Sequence, residues 1–233
     1  MLNQLIKELE NLKDPQQAEN LQRFFKTGKG EYGAGDVFLG IKVPVQRNVA
    51  KKYLNLSLPK IKELLKSKIH EHRLVSLLIL VEKYKKSNED EKANIFNFYL
   101  QNTKRINNWD LVDLSAPRIC GHFLFDKDKK ILYELVRSKN LWEKRIAIIS
   151  TLFFISKGEF QDALAISELL LDEKHDLIHK VVGWILREVG KKDEKVLENF
   201  LKQHYNKMPR TTLRYAIERF EEEKRKKYLR GEI

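Results

Sequence analysis

Cysteine is the scarcest residue type in this sequence, with Cys120 the only one among 233 residues. A single thiol excludes an intrachain disulfide framework and a cysteine-rich zinc site. Scarce cysteine is typical of a reducing compartment, so we expect a cytoplasmic protein. Cys120 follows Ile119 and precedes Gly121, a setting that predicts burial. The sequence shows no neighbouring base that would make it a nucleophile.

Long hydrophobic runs are also missing. The longest nearly apolar stretch, residues 146–155, is well short of the length that spans a bilayer. Residues 1–10 lack the apolar segment of a signal peptide. We therefore expect a soluble protein without membrane association.

Recognisable metal-ligand patterns are absent as well. Two pairs among the six histidines are closely spaced, His70 with His72 and His175 with His179. Neither pair has a third ligand at a known spacing, and helical imidazoles are more often surface or packing residues. We expect no metal site.

Positive charge is plentiful. The chain has 45 Lys and Arg against 33 Asp and Glu, a formal net charge of +12. Such a surface attracts polyanions, either nucleic acid or an anionic membrane. Charge alone does not choose between them.

Apolar residues recur at helical spacing almost throughout, and no segment alternates as a β-strand does. The fold class predicted is all-α, and the five prolines lie mainly near expected helix starts. After two N-terminal helices, one on each side of Pro15, we predict helices at 44–53, 58–66, 70–86, 90–101, 107–115, 118–125, 128–138, 142–156, 160–171, 175–190, 193–204 and 210–226.

Glycines cluster in residues 28–40, and Gly28 to Gly33 formally matches the dinucleotide-binding pattern G-x-G-x-x-G. That pattern needs a preceding strand, so that a pyrophosphate meets a helix N-terminus. The residues before Gly28 look helical instead. We predict a flexible loop that helps to follow a phosphate backbone through its free amides and Lys29.

A weak internal repeat places a cation before an apolar run at Arg73, Arg145, Lys180 and Arg214. The last three are 35 and 34 residues apart, a spacing that suits one antiparallel helix pair per repeat. Stacked pairs form an α-solenoid, and the repeated cations would line one surface of it. This predicts a basic concave groove in which Arg145, Lys180 and Arg214 bind the phosphate backbone of a nucleic acid.

Trp109 and Asp113 are four residues apart, so on a helix the indole and the carboxylate share one face. An isolated pair of this kind is usually a core aromatic beside an ordinary polar residue. The chain has only three tryptophans, the others being Trp142 and Trp184. Trp142 is predicted to pack between repeats, and Trp184 either packs in the core or protrudes into the groove.

Three segments in this order resemble the signature segments of the DNA alkylation repair family of HEAT-like-repeat DNA glycosylases. They read N-W-D-L-V-D at 108–113, L-W-E-K-R-I-A-I at 141–148 and V-G-W-I-L-R-E at 182–188. The resemblance extends over most of the chain, including the glycine-rich loop, and implies a single HEAT-like-repeat domain over residues 1–233. Residues 28–40 do not match the DNA-contacting helix that some members of the family have.

The resemblance implies that Trp109, Asp113, Arg145 and Trp184 match the family's active-site Trp, Asp, Arg and Trp. The family removes cationic N3- or N7-alkylated purines from double-stranded DNA without a metal or other cofactor. We therefore expect Asp113, Trp109 and Trp184 to be catalytic and the protein to act as a monomer, with no obligate protein partner.

The residue chemistry agrees with that expectation. An alkylated purine is already cationic and leaves without a general acid, while cleavage builds positive charge on the sugar. Asp113 would stabilise that charge, and the two indoles would hold the lesion by cation–π contacts. Arg145 would bind a phosphate in a bidentate manner.

Two other functions fit the same pattern. One is a non-catalytic HEAT-repeat scaffold that binds nucleic acid or protein and keeps the motifs for packing. The other is an RNA-binding module that shares the basic groove. Comparing binding to methylated duplex DNA and to RNA would separate the RNA-binding module from the glycosylase.

Overall fold

The computed structural model describes residues 1–232. Over these residues the chain is all-α, and no β-strand is present. One isolated parallel bridge pairs Val37 with Ile69. The described helices include none that is long and apolar enough to cross a membrane.

The N-terminal unit comprises residues Met1–Ser115. Its helices are α1 (Leu2–Asn11), α2 (Pro15–Phe24), α3 (Val43–Lys52), α4 (Leu58–Leu65), α5 (His70–Lys86), α6 (Glu89–Gln101) and α7 (Trp109–Ala116), with a 3₁₀ turn at Thr103–Arg105. α5 forms the centre of this unit. It is buried over most of its length, and α3 and α4 pack against it.

The C-terminal unit comprises residues Ala116–Ile233. It begins with a π-helical turn at Pro117–Gly121, followed by α8 (His122–Leu124), α9 (Lys130–Val136), α10 (Leu141–Ser156), α11 (Gln161–Leu169), α12 (Asp176–Lys192), α13 (Glu194–His204), a 3₁₀ turn at Tyr205–Lys207, α14 (Arg210–Ala216) and α15 (Glu222–Arg230). α12 packs against α10 and α14, and α10 and α12 supply the largest shares of the buried apolar side chains of this unit.

Glycine at two positions permits close helix packing in the C-terminal unit. A Cβ on Gly121 would lie 2.3 Å from the carbonyl oxygen of Ser150 in α10. A Cβ on Gly183 would lie 2.5 Å from the carbonyl oxygen of Thr212 in α14. Both distances are far below van der Waals contact, so the backbones approach closely only because these residues lack side chains.

The prediction of all-α structure is confirmed, and most helix bounds agree within one or two residues. Residues 118–125, predicted as one helix, instead comprise most of the π-helical turn and the short α8. A larger difference concerns the segment 210–226, which the sequence predicts as one helix. The chain instead leaves α14 after Ala216 and starts α15 at Glu222, where the Glu221 carboxylate caps the backbone N–H groups of Glu223 and Lys224. Ile217 and Phe220 are buried in the break, so packing of these apolar side chains overrides the local helical pattern.

The arrangement as a solenoid with a basic concave groove remains a prediction, as does a single domain over residues 1–233. Arg73 and Arg145 are 4% and 5% exposed, whereas Arg214 is exposed and Lys180 half-buried. The four repeated cations therefore do not share one environment.

Candidate active site

Trp109 begins α7 and lies half-buried at the edge of an aromatic cluster formed with α2 and the glycine-rich loop. Its indole stacks on Phe25, with ring centroids 4.9 Å apart and planes 11° apart. Phe24 meets it edge-on at 5.7 Å, and Phe38 stacks on Phe25 with ring centroids 5.0 Å apart. The cluster fixes the orientation of the indole.

Asp113 lies one helical turn after Trp109 and is also half-buried. Because residues four apart on a helix share a face, the carboxylate and the indole project from the same side of α7. The helix therefore presents a carboxyl group next to an aromatic ring, as the helical spacing predicts.

A buried polar network fixes the start of α7. His70, the first residue of α5, places Nε2 2.8 Å from Oδ2 of Asp110 and Nδ1 3.2 Å from Oδ2 of Asp36. Nη2 of Arg73 donates to the same Asp36 oxygen at 2.6 Å, and Nδ2 of Asn108 does so at 3.3 Å. The two residues that flank Trp109 are thus held on both sides: Asp110 bonds to α5, and Asn108 bonds to Asp36 of the glycine-rich loop.

Charge within this network favours an imidazolium. Burial lowers the pKa of His70, but the charge of Asp110 and hydrogen bonds to Asp110 and Asp36 outweigh it and raise the pKa to about 9. Burial also raises the pKa of Asp36, yet its bond to His70 and the charge of Arg73 leave that pKa below its ordinary value. At neutral pH both ring nitrogens of His70 carry protons and donate.

The glycine-rich loop is held by the next residue of α5. The buried Glu71 carboxylate accepts hydrogen bonds from the backbone N–H groups of Leu39, Gly40 and Ile41 at 2.9, 2.8 and 3.2 Å. Gly40 has a φ of +89°, and a Cβ there would lie 2.1 Å from the carbonyl oxygen of Asp14. The loop amides predicted to be free are therefore already bonded at Leu39 and Gly40, which corrects the prediction there.

The sequence analysis missed Asp36, His70, Glu71 and Asp110 as members of the site. One sequence feature points to them in retrospect. The helix predicted at 70–86 is strongly apolar, yet it opens with His-Glu-His-Arg, four titratable residues at the end of an element that must be buried. Buried ionisable groups need partners, so such a start indicates a polar network.

In the C-terminal unit, Arg145 lies on α10 and is 5% exposed. Its Nη1 donates to the carbonyl oxygen of Leu177 at 3.2 Å, near the start of α12. The guanidinium is therefore positioned by the helix that carries Lys180 and Trp184. Binding to phosphate would involve the small part of Arg145 that remains accessible.

Trp184 is half-buried on α12, one residue beyond Gly183. Its indole N–H donates to Oε1 of Glu188 at 3.1 Å, which orients the ring along the helix. Lys180 is half-buried and pairs with Asp176 at 2.7 Å, and Arg214 is exposed on α14. Close packing of α12 on α14 at Gly183 places these helices side by side.

The next two features concern a metal site and nucleophilic catalysis by Cys120. Residues 1–232 contain no group of three or more His, Cys, Asp or Glu side chains that could hold a metal ion. Cys120 is fully buried, as predicted, and burial raises the pKa of its thiol, which disfavours the nucleophilic thiolate.

Comparison with known proteins defines the class. The sequence model of the family described as DNA alkylation repair enzyme matches residues 5–220. The chain therefore belongs to the DNA alkylation repair enzyme family, which gives it a role in DNA repair.

A solved structure shares the fold. The structure of a predicted DNA alkylation repair enzyme from Enterococcus faecalis superposes on this chain with a TM-score of 0.70 at 17% sequence identity. The alignment covers 90% of this chain and 97% of that one. No curated protein matches the sequence significantly.

Proposed function

We propose that this protein is a DNA glycosylase that hydrolyses the N-glycosidic bond of cationic N3- or N7-alkylated purines in double-stranded DNA. The observation that carries the proposal is the pairing of Trp109 and Asp113 on one face of α7, both half-buried. Membership in the DNA alkylation repair enzyme family supports a substrate of this kind.

The reaction needs little acid catalysis. Alkylation at N3 or N7 leaves the purine cationic, so departure of the base yields a neutral leaving group. Positive charge then develops on the deoxyribose, as in the transition states of glycosidases. A carboxylate fixed at Asp113 would stabilise that charge and orient the attacking water.

Aromatic rings would provide the affinity for the lesion. A cation over an indole gains about 0.5–2 kcal/mol when the contact is desolvated. Because Phe25 covers one face of Trp109, the remaining surface of the indole would contact the nucleotide. Trp184 would contribute a second indole, oriented by its bond to Glu188.

The network around His70 would keep Trp109 and Asp113 in place. Asp110 and Asn108 flank the indole, and both bond to buried charged groups of α5 and the loop. Fixed charges that do not reorganise during the reaction are the most effective in stabilising a transition state. In the C-terminal unit, Arg145, Lys180 and Arg214 would bind DNA phosphates.

The experiment that tests the proposal is incubation of the protein with methylated duplex DNA. Free N3-methyladenine or N7-methylguanine and an equal number of abasic sites are expected. Undamaged duplex is the control and should release no base. Absence of both products at saturating protein would contradict the proposal.

A second candidate is a non-catalytic scaffold that binds nucleic acid. It is favoured by the packing of Trp109 within the aromatic cluster, since stacking on Phe25 gives the indole a structural role without any substrate. This alternative predicts binding to methylated DNA with no base release.

A further inference from the structure

An acidic side chain lies against the nitrogen edge of Trp184. The indole N–H donates to Oε1 of Glu188 at 3.1 Å, one turn further along α12. A neutral acceptor, such as a backbone carbonyl or an amide side chain, would also satisfy this donor. Here the acceptor is a carboxylate, so the hydrogen bond is charge-assisted. The ring is therefore in direct contact with a negative charge.

The carboxylate of Glu188 is fixed by its neighbours on the same helix. Nζ of Lys191 donates to Oε1 of Glu188 at 2.7 Å and to Oε2 at 3.0 Å. Nε of Arg187 lies 3.6 Å from Oε1 of Glu188. The side chain of Glu188 is only 23% exposed. Its charge therefore meets the indole from a defined position.

The neighbouring cations weaken this charge without cancelling it at the ring. The side chain of Lys191 is 40% exposed, so water screens its ammonium group. The guanidinium of Arg187 is shared with a second carboxylate, that of Glu218. The indole N–H contacts the carboxylate oxygen itself, and the energy between charges falls with distance. The nearest charge to the nitrogen edge of Trp184 in these contacts is thus negative.

A negative charge at the nitrogen edge changes what the ring attracts. An indole face attracts a cation electrostatically, through the ring quadrupole. A hydrogen bond from the indole N–H to a carboxylate polarises the ring and makes its face more negative. The carboxylate also attracts a nearby cation directly. A neutral base gains much less from either effect, so the arrangement discriminates by charge and not by shape.

We propose that Glu188 is a specificity-determining residue, whose charge makes Trp184 a better contact for a cationic base than for a neutral base of the same shape. The inference rests on the proposed function, because it takes Trp184 as a ring that contacts the lesion. It also goes beyond orientation of the ring. A residue that only orients Trp184 would affect charged and neutral bases alike.

The test compares the binding of two duplexes that differ in the charge of one base. One contains N7-methylguanine, and the other contains 7-deaza-7-methylguanine, which is neutral and has the same shape. Both nucleotides carry a 2′-fluoro sugar, which slows cleavage of the glycosidic bond. The ratio of the two dissociation constants is the cation preference.

Glu188→Gln is the variant tested, because glutamine keeps an oxygen that can accept the indole N–H but removes the charge. Glu218→Gln is the matched control. It removes one carboxylate from the same group of ion pairs, but this carboxylate pairs with Arg187 and the indole N–H keeps its bond to Glu188. Thermal unfolding verifies the fold of each variant.

We expect the wild type to bind the cationic duplex more tightly than the neutral one. Glu188→Gln should lower this preference by roughly threefold to tenfold, through weaker binding of the cationic duplex alone. Glu218→Gln should keep the preference of the wild type. An equal loss of affinity for both duplexes would assign Glu188 a structural role and overturn the proposal, as would an unchanged preference.

Lys191→Gln carries the opposite expectation and remains informative if Glu188→Gln unfolds. The side chain of Lys191 is 40% exposed, so the substitution is compatible with folding. Loss of the ammonium group leaves the charge of Glu188 less compensated, and the cation preference should rise about twofold or more. A preference that falls or stays constant in this variant would contradict the proposal.

Failure of this inference can be told apart from failure of the proposed function. If the wild type releases no base from methylated duplex DNA but its cation preference depends on Glu188, only the glycosylase proposal is wrong. If the wild type releases base but shows no cation preference, or one that Glu188→Gln leaves unchanged, only the role of Glu188 is wrong.

Discussion

Nε2 of His70 lies 2.8 Å from Oδ2 of Asp110, which joins the first residue of α5 to the residue next to Trp109. Both side chains are buried, and the histidine also bonds to Asp36. An ion pair removed from water is strongly coupled to its protonation state. The contact that anchors the start of α7 is therefore strongest while His70 is protonated.

This coupling predicts a pH dependence of stability. The folded pKa of His70 is about 9, above its ordinary value of 6.5, so its contribution is complete below pH 6.5 and is lost as pH rises through 9. The lowered pKa of Asp36 acts oppositely, and its contribution is lost as pH falls below about 3.8. We expect the difference in Tm between wild type and His70→Gln to shrink between pH 6.5 and 9.5.

Thermal unfolding at several pH values measures this difference. His122→Gln, which changes an exposed histidine of the C-terminal unit, should keep the pH profile of the wild type. A difference between wild type and His70→Gln that stays constant up to pH 10 would show that His70 is neutral in the folded protein.

Asp113→Asn should lower the rate of base excision by roughly 10²-fold or more, the scale of losing a main group that stabilises the transition state. DNA affinity should be retained, because the substitution preserves size and removes only the charge facing the sugar. Single-turnover kinetics at saturating protein measure the step. Asp172→Asn, at an exposed position, is the matched control. Near-wild-type excision by the first variant would exclude Asp113 as the catalytic carboxylate.

Arg145→Ala should weaken binding about equally across DNA sequences, because phosphate contacts position the protein without reading bases. The slope against log salt should become shallower. Since Arg145 also bonds to the carbonyl of Leu177, the Tm should fall as well. Arg145→Lys retains the positive charge but lacks the planar pair of N–H donors of a guanidinium, so it should recover affinity only in part. An unchanged slope in the alanine variant would show that Arg145 does not contact phosphate.

Selectivity for charged lesions is the next prediction. In the proposed mechanism, Trp109, Trp184 and Asp113 would favour a cationic base, the tryptophans through their ring quadrupoles and Asp113 through its negative charge. Uracil is neutral and has a less labile glycosidic bond, so its release needs an activation that these three side chains do not supply. Matched duplexes should release N3-methyladenine or N7-methylguanine and essentially no uracil. Comparable uracil release would require a general acid and would refute the mechanism.

Gly183→Ala should destabilise the C-terminal unit by about 1–3 kcal/mol, the usual cost of overpacking, even though alanine favours helices. Its Cβ would meet backbone and Cβ atoms of α14 that cannot move independently. Gly190→Ala is the comparison, because its new Cβ would mainly meet the end of the flexible Leu197 side chain. Denaturant unfolding should show the larger loss at position 183.

The sequence alone determined the all-α class and most helix bounds. The apolar spacing within 70–86 predicts α5 with both ends correct, because a helix buried around much of its circumference leaves a long periodic pattern. Pairing of Trp109 with Asp113 on one face also followed from sequence, since the helical period alone sets it.

Only the tertiary structure decided which groups surround those two residues. Along the chain, His70 is 34 residues from Asp36 and 40 residues from Asp110. Sequence periodicity carries no information about contacts over such separations. The same holds for the break at 217–221, where buried Ile217 and Phe220 turn the chain against its local propensity and bring Arg225 beside Arg214. Local patterns fix helices because their hydrogen bonds are local, whereas buried charges find partners only after the helices have packed.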